Sequence, residues 1–420
     1  MTVPRTREGP PPGPPRDRSF RRAKGKGSPM EKHDMFPTLA PGVSLKRLEE
    51  PCLYHAPRDE LYRLSEEAFG FFLRCDGTSP LSTLEAEEDF LEYCLSEGLL
   101  VPHPEPHPVP VRVGVNERPS LRYLMVEVTS RCNLACLHCY LGDPPSSDME
   151  PHLFHRLVDE FEEMGGLRFI VTGGEPLQHP RWEELVPALE RRDFRSVLVT
   201  NGLLLSGLSG DLLPFHEVQV SLDGLEKGHD HLRGEGTFRR ALEGLGHALE
   251  LGKDVSVATV VHSRNLGELE GLGRLLGDMG VMAWTLEYPV PEGRLAENRE
   301  LLAPLEEALP LLELGWGTGP HEASGEEGCG AHMACVTPMG TLVKCGYFRE
   351  VVGGDAGEGL RAAWKGLPRT GPPSACLGCP ELPSCGGGCL YRGLAFGGPG
   401  SPDPLACRQR GRTPPLREGE

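Results

Sequence analysis

Between residues 120 and 300 the sequence switches six times between short apolar, β-branched runs and longer amphipathic stretches. The runs are YLMVEV (123–128), RFIVTG (168–173), SVLVTN (196–201), EVQVSL (217–222), VSVATVV (255–261) and MAWTLE (282–287). Residues 150–164, 181–191, 237–251 and 266–279 read as helices; in the first, Leu153, Leu157, Phe161 and Met164 recur at helical spacing. Strands with little polar alternation are buried on both faces, and helices between them let them pair in parallel. The pattern predicts an α/β chain with a parallel barrel or sheet, specifically a partial (β/α)6 barrel of the TIM type over 120–300. In such barrels chemistry sits at the C-terminal strand ends. The unusual residues of this chain fall there.

Directly after the first strand comes RCNLACLHCY (131–140), which spaces Cys132, Cys136 and Cys139 as C-x3-C-x2-C. Structural metal sites ordinarily draw four protein ligands. This trio therefore borrows a fourth ligand or leaves a position open. His138 is the nearby candidate for zinc, although zinc sites typically pair cysteines at C-x2-4-C spacing. Fourteen cysteines do not read as a disulfide framework here. The N-terminus lacks an apolar signal region and no run is long enough to span a bilayer, so a cytoplasmic location is expected, where thiols stay reduced. Eleven of the cysteines lie in two groups, 132–139 and 329–407, and read as metal or cluster ligands. Cys52, Cys75 and Cys94 stand singly and read as small buried hydrophobes.

The trio after a first barrel strand resembles the radical S-adenosylmethionine (SAM) superfamily. The resemblance implies that Cys132, Cys136 and Cys139 hold three irons of a [4Fe–4S] cluster and that the fourth iron is chelated by the amino and carboxylate groups of SAM. The reduced cluster then cleaves SAM to methionine and a 5′-deoxyadenosyl radical that abstracts hydrogen from substrate. His138 takes the position that is usually aromatic in the family. TGGEP (172–176) ends the second strand, and Gly173, Gly174 and Glu175 are implied to hold the SAM amino group. Asn201 lies in TNG (200–202) at the end of the third strand. SLDG (221–224) ends the fourth, with Ser221 and Asp223 suited to ribose or carboxylate. Arg233, in HDHLRG (229–234), suits the SAM carboxylate. Asn265 follows the fifth strand, and Tyr140, next to the trio, joins the same cofactor-binding set.

The C-terminal region reads Cys329-x5-Cys335, Gly340-x4-Cys345, then CLGCPELPSCGGGC with Cys376, Cys379, Cys385 and Cys389, then Cys407. This resembles the SPASM extension of radical SAM enzymes, expected here over 301–410, with ten residues between Cys329 and Gly340. The resemblance implies two auxiliary [4Fe–4S] clusters and three clusters in all. Cys329, Cys335, Cys345 and Cys389 are implied to hold the first, and Cys376, Cys379, Cys385 and Cys407 the second. With a full thiolate set, neither cluster is expected to bind substrate. If Cys335 were not a ligand, the first would keep an open iron and that expectation would reverse. A pair of zinc sites is the competing reading of the cysteines alone.

Residues 41–102 form a small unit before the barrel. VSLKRL (43–48), CLYHAP (52–57) and ELYRL (60–64) read as strands. SEEAFGFFLRC (65–75), with Ser65 as N-cap, and EAEEDFLEYCLSEGLL (85–100) read as helices, the latter closing in a strand. This winged-helix-like α+β order resembles the PqqD-like element that binds leader peptides. The resemblance implies a leader added beside residues 60–64, against the helix at 86–97. A structural N-terminal cap is the plainer reading. Residues 103–119 read as an extended, Pro/His-rich linker, with His103 and His107 solvated.

Residues 1–40 and 411–420 are expected to be disordered tails. Lys24-Gly25-Lys26-Gly27 must be encoded by AAR-GGN-AAR-GGN, which resembles a purine-rich ribosome-binding site, so Met30 or Met35 is a candidate start. Residues 1–29 carry +6 of a net −18, which leaves −24 on the rest and argues against nucleic acid as a partner.

Together these features point to a radical SAM maturase of a ribosomally made precursor peptide, forming a crosslink, thioether, epimer or oxidised residue. Its expected partners are that peptide and an electron donor such as flavodoxin or ferredoxin, its expected location is the cytoplasm, and it is expected to be a monomer. The alternatives are a protein oxidase like the anaerobic sulfatase maturases, an enzyme acting on haem precursors, and a non-catalytic iron–sulfur scaffold. No general acid or base is identifiable. Asp148, Glu287, His332 and Tyr347 fall on the substrate side but read as surface or packing residues.

Overall fold

The six apolar runs pair as strands of a single sheet in a computed structural model, which describes residues 35–317 and 329–413. The chain packs as two units. One comprises residues up to 120 with 161–167 and 191–195, and the other the remainder.

In the first unit, β1 (Phe36–Leu39), β2 (Val43–Arg47), β3 (Pro51–His55) and β4 (Glu60–Arg63) precede α1 (Glu66–Leu73) and α2 (Glu88–Ser96). Then follow β5 (Leu100–His103) and β6 (Val113–Val115). Ser65 caps α1, its hydroxyl accepting from the Ala68 amide at 3.2 Å, and Glu66 and Glu67 favour the positive end of the helix. Phe71, Phe72 and Phe90 meet edge to face at 5.3–5.9 Å and join the two helices. The sheet order is β4-β3-β2-β6, so β4 is an edge strand. Cys52, Cys75 and Cys94 are all buried, as small hydrophobes should be.

Two strands lie where none was expected. β1 falls within the stretch read as tail and pairs antiparallel with β5, and β6 falls within the stretch read as linker and pairs in parallel with β2. Four residues containing a proline, and the three-residue VGV, are too short for alternation to register. Met35 is described; the expectations for residues 1–34 and 414–420 lie outside the described residues.

The second unit opens with β7 (Tyr123–Thr129), α3 (Pro151–Glu163), β8 (Arg168–Gly173), α4 (Trp182–Leu185), β9 (Arg195–Thr200) and β10 (Glu217–Ser221). It continues with α5 (Glu226–Arg233), α6 (Thr237–Glu250), β11 (Asp254–Val260), α7 (Leu269–Met279) and β12 (Ala283–Glu287). Strands β7 to β12 neighbour one another in chain order, all parallel. Leu124, Val126 and Val128 on one face of β7 are fully buried and Glu127 on the other is 1% exposed, as a parallel strand covered on both faces requires. The helix expected over 181–191 is a single turn followed by a 3-10 turn at Val186–Leu189, because Pro187 cannot donate to a helical ladder.

After α8 (Leu305–Ala308) the chain returns to the sheet. β13 (Met333–Val336) pairs in parallel with the free side of β7, and β14 (Thr341–Val343) and β15 (Val352–Asp355) follow antiparallel, which makes nine strands. α9 (Leu360–Gly366), α10 (Leu382–Cys385), α11 (Leu390–Gly397) and α12 (Pro404–Gln409) complete the unit. No helix among the described residues is long and apolar enough to cross a membrane.

Candidate functional site

The three-cysteine loop runs from the end of β7 to Gly142, and several residues outside the motif hold it. Thr129 Oγ1 donates to Asp148 at 2.6 Å, and Arg131 Nε bonds both oxygens of Asp148 at 3.0 and 2.9 Å. The Leu137 amide bonds the Leu232 carbonyl at 2.9 Å. Arg294 donates from its amide to Cys139 O at 3.0 Å and from its guanidinium to Cys136 O at 3.3 Å, while pairing with Asp143. Asn298 Nδ2 reaches Leu137 O at 3.2 Å. At Gly293 a Cβ would stand 2.3 Å from Cys139 O, so only glycine lets this turn back the loop. Arg131, Arg294 and Asn298 carried no motif signal, and Asp148 braces the loop.

Within the loop Cys132 is exposed, Cys139 half-buried and Cys136 buried. Burial raises the thiol of Cys136. The His138 ring is turned toward Asp223, with Nε2 4.0 Å from its carboxylate and Nδ1 buried without a partner, so the donor set of the loop remains three thiols. Three thiols and no fourth protein ligand fit a [4Fe–4S] cluster with one open iron.

The Gly-Gly-Glu segment packs directly against this loop. A Cβ on Gly174 would lie 2.4 Å from Arg131 O, and the Glu175 amide bonds that carbonyl at 2.8 Å. Gly173 has φ +147° and a Cβ there would lie 2.3 Å from Thr129 O. The Glu175 side chain is fully buried and turned inward. Oε1 accepts from Thr200 Oγ1 at 2.8 Å and the Leu177 amide at 3.2 Å, and Oε2 accepts from the Asn201 amide at 2.8 Å. Burial raises its carboxyl, and these donors and Arg233 oppose the rise. Asn201 donates from Nδ2 to Asn133 Oδ1 at 2.8 Å and so ties β9 to the cysteine loop.

Ser221 ends β10. Beyond it Asp223 is fully buried, bonded to Arg233 Nε at 2.5 Å and to the Val260 amide at 2.7 Å. Burial alone would raise the Asp223 carboxyl, but the Arg233 guanidinium beside it holds it well below the usual range. Burial also lowers His138 to about 3 and His229 to about 4, so both rings are neutral at pH 7. His229 Nε2, like His138 Nδ1, is buried without a partner. Asn265 spends its amide within the fold, donating to Asp223 O at 2.9 Å and Val260 O at 2.8 Å and accepting from the His262 amide at 2.9 Å. Arg233 lies on α5 rather than in a loop.

The C-terminal thiols fall into two sets. Cys376, Cys379, Cys385 and Cys407 line one open pocket with Asp403 and Arg410. No three His, Cys, Asp or Glu side chains among the described residues are gathered for a single ion. Cys389 lies outside that lining and neighbours Cys329 and Cys345. Cys345 Sγ accepts from the Phe348 amide at 3.3 Å, and Cys389 Sγ from the Arg392 amide at 3.4 Å. Asp403 joins the sets: Oδ2 accepts from the Cys389 amide at 2.9 Å and from Arg392 at 3.1 Å, and Oδ1 caps α12, which carries Cys407. Tyr347 packs between Tyr140 and Tyr391, with centroids at 4.7 and 5.8 Å. The His332 backbone carbonyl takes the Arg122 and Tyr123 amides, and Glu287 ends β12 at the surface.

Residues 126–276, which include the three-cysteine loop and the strand-end motifs through Asn265, match the sequence model of the Radical SAM superfamily. An AdoMet-dependent heme synthase of Oleidesulfovibrio alaskensis is 31% identical over 187 residues, which are 43% of this chain and 48% of that protein. The mycofactocin maturase MftC of Mycobacterium ulcerans is 26% identical over 314 residues, 65% of this chain and 85% of that protein. The chain spans about half the length of the heme synthases it matches. Streptococcus suis SuiB bound to precursor peptide SuiA shares the fold at TM-score 0.57 and 15% identity, over 85% of this chain and 96% of that one.

Proposed function

We propose that this radical SAM enzyme is a maturase of a ribosomally made precursor peptide. The observation that carries the reading is the pairing of two features in one chain. A strand-end loop offers three thiols and no fourth ligand, and the N-terminal unit offers an edge strand, β4, beside α2. The likeness to SuiB extends over both, and that protein is known bound to a precursor peptide.

In this reading the second unit is a partial barrel with a SPASM extension and the first is a PqqD-like element. The leader adds to β4 at 60–64 and lies against 86–97. Tyr62 and Tyr93 are electrostatic neighbours there, and the Tyr93 hydroxyl is buried without a partner, a donor suited to a peptide carbonyl. SAM on the open iron supplies a 5′-deoxyadenosyl radical when bound. Cys132, Cys136 and Cys139 hold that cluster. Gly173 and Gly174 bring backbone close to the amino end of the ligand, and Glu175 and Asn201 keep that backbone in place. Arg233, held by Asp223, meets the SAM carboxylate, and neutral His138 and His229 line the ligand without adding charge. Ser221, Tyr140 and Asn265 complete the wall, the last by fixing the loop after β11. The two C-terminal thiol sets hold auxiliary clusters, and a flavodoxin or ferredoxin supplies electrons to a monomer in the cytoplasm.

A second reading, action on a haem precursor, is favoured by the relatives at 30–32% identity. Coexpression with short open reading frames encoded nearby, followed by mass spectrometry of the peptides, separates the two. A peptide mass change that depends on Cys136 supports the maturase. An unchanged peptide together with SAM cleavage stimulated by a tetrapyrrole overturns it.

A further inference from the structure

A buried lysine stands between two of the C-terminal cysteines. Lys344 follows β14 directly and precedes Cys345, and its amide bonds Val351 O at 3.0 Å. Cys335, in β13, pairs in register with Val343, the residue before it. Lys344 is only 3% exposed, and its side chain crosses to the residue that follows Cys329. There Nζ lies 3.5 Å from Gly330 O, and a Cβ on Gly330 would stand 3.7 Å from Nζ. Among the described residues this long bond is the only one the ammonium makes, and no carboxylate pairs with it. Lys46, buried as deeply, donates instead at 2.8 Å and has Asp193 and Glu162 as electrostatic partners. An ammonium carries three donors, and burying it without an anion is costly. The groups around Lys344 are thiols: Cys329 and Cys345 neighbour it, and Cys389 neighbours both. Two of these sulfurs already accept backbone amides, from Phe348 and Arg392. Amides on sulfur and a cation without an anion suit a negatively charged cluster at this thiol set.

We propose that Lys344 is the counter-cation of the cluster held at the Cys329, Cys345 and Cys389 set, and that its charge raises the reduction potential of that cluster. The inference rests on the reading above that the C-terminal thiols hold iron–sulfur clusters, and it deepens that reading. Each electron added makes a cluster one charge more negative, so a fixed positive charge beside it favours the reduced form. Burial strengthens the effect, because water does not screen a cation held inside the fold. A higher potential makes this cluster a better electron acceptor. Lys344 acts through the cluster and is a positioning residue.

The test uses the full chain, reconstituted anaerobically, with Cys132, Cys136 and Cys139 all replaced by Ala so that only auxiliary clusters remain. About eight irons per chain are expected. A mediated redox titration followed by electron paramagnetic resonance then reports the two clusters side by side. Lys344→Met and Lys344→Gln should keep the iron count and lower the potential of one cluster. At a fixed applied potential its reduced-to-oxidised ratio should fall about tenfold, a shift of about 59 mV for one electron. The other cluster should not move, and Lys344→Arg, which keeps the charge, should stay near the parent. Unchanged potentials in both neutral variants, or an equal fall in Lys344→Arg, overturn the inference and leave the cluster reading standing. Loss of about four irons in both neutral variants overturns it as well, because the lysine then builds the site rather than tunes it. A parent that holds no iron overturns the cluster reading and this inference together.

Discussion

Replacing Glu175 by Gln tests whether the motif carboxylate serves the ligand or the fold. The side chain is 0% exposed and its two oxygens accept three hydrogen bonds, from Thr200, Leu177 and Asn201. A Gln whose oxygen takes the Oε1 position keeps Thr200 and Leu177, but its NH2 then faces the Asn201 amide, donor against donor. The flipped amide is worse: it opposes the Leu177 amide, and the Thr200 hydroxyl already accepts from Gly202 N at 3.1 Å. The better orientation still loses one charge-assisted bond and strands one buried donor, a cost of about 2–3 kcal/mol. Relief of the buried charge offsets part of this. Native-state hydrogen exchange of the cluster-loaded protein without SAM is the assay. The Asn201 amide, bonded to Oε2, should exchange about 10- to 100-fold faster, as should its neighbours on β9. If exchange and unfolding are unchanged and only SAM affinity falls, Glu175 is a ligand contact and the clamp is wrong.

Three further outcomes are expected. Cys136→Ala should abolish 5′-deoxyadenosine formation and remove about four irons while leaving about eight, read by iron analysis and product chromatography. Asp403→Asn should loosen both C-terminal thiol sets together, because Asp403 holds the Cys389 amide, Arg392 and the start of α12; destabilisation of about 3 kcal/mol and faster loss of auxiliary iron in air are the readouts. Lys46, buried and donating to Asp193 O at 2.8 Å, is lowered by burial to about 8, whereas the unfolded chain keeps that proton to about 10.4. The unfolded state therefore binds more protons between these values, and this residue's contribution to folding stability rises as pH increases from 8 to 10. The stability of the native chain relative to Lys46→Met should accordingly rise by up to about 3 kcal/mol over that range in urea titrations; a difference independent of pH refutes the shift.

The parallel strands were legible because each is a run of buried apolar residues whose period and length leave one interpretation; every expected strand between 123 and 287 forms within a residue or two. The three-thiol loop was legible because its spacing is local. What was not legible is whatever depends on partners distant in sequence. β13 joining β7 could not be read from MACV, since nothing in four apolar residues names the edge they will cover. Arg131, Arg294 and Asn298 are ordinary residues until the fold brings them to the carbonyls of the cysteine loop.

A common physical rule links these cases. The loops at the strand ends are irregular backbone in a buried setting, so their polar groups need partners from within the protein. Glu175, Asn201, Asp223 and Asn265 supply them: each bonds a backbone amide or carbonyl of its own or a neighbouring strand end. A strand-end motif is thus two things at once, and its side chains divide between them. Groups whose hydrogen-bonding capacity the fold consumes set the shape of the pocket. Groups the fold leaves with spare capacity, His138 Nδ1 and His229 Nε2 among them, are those able to meet a ligand. Asp223→Asn sharpens the division. It removes the charge that holds Arg233 but keeps the size of the side chain, so Arg233 should turn toward whatever anion is present. SAM affinity, measured by calorimetry on the unreduced holoprotein, should then fall less on Asp223→Asn than on Arg233→Met. The reverse order would place the ligand on Asp223 itself.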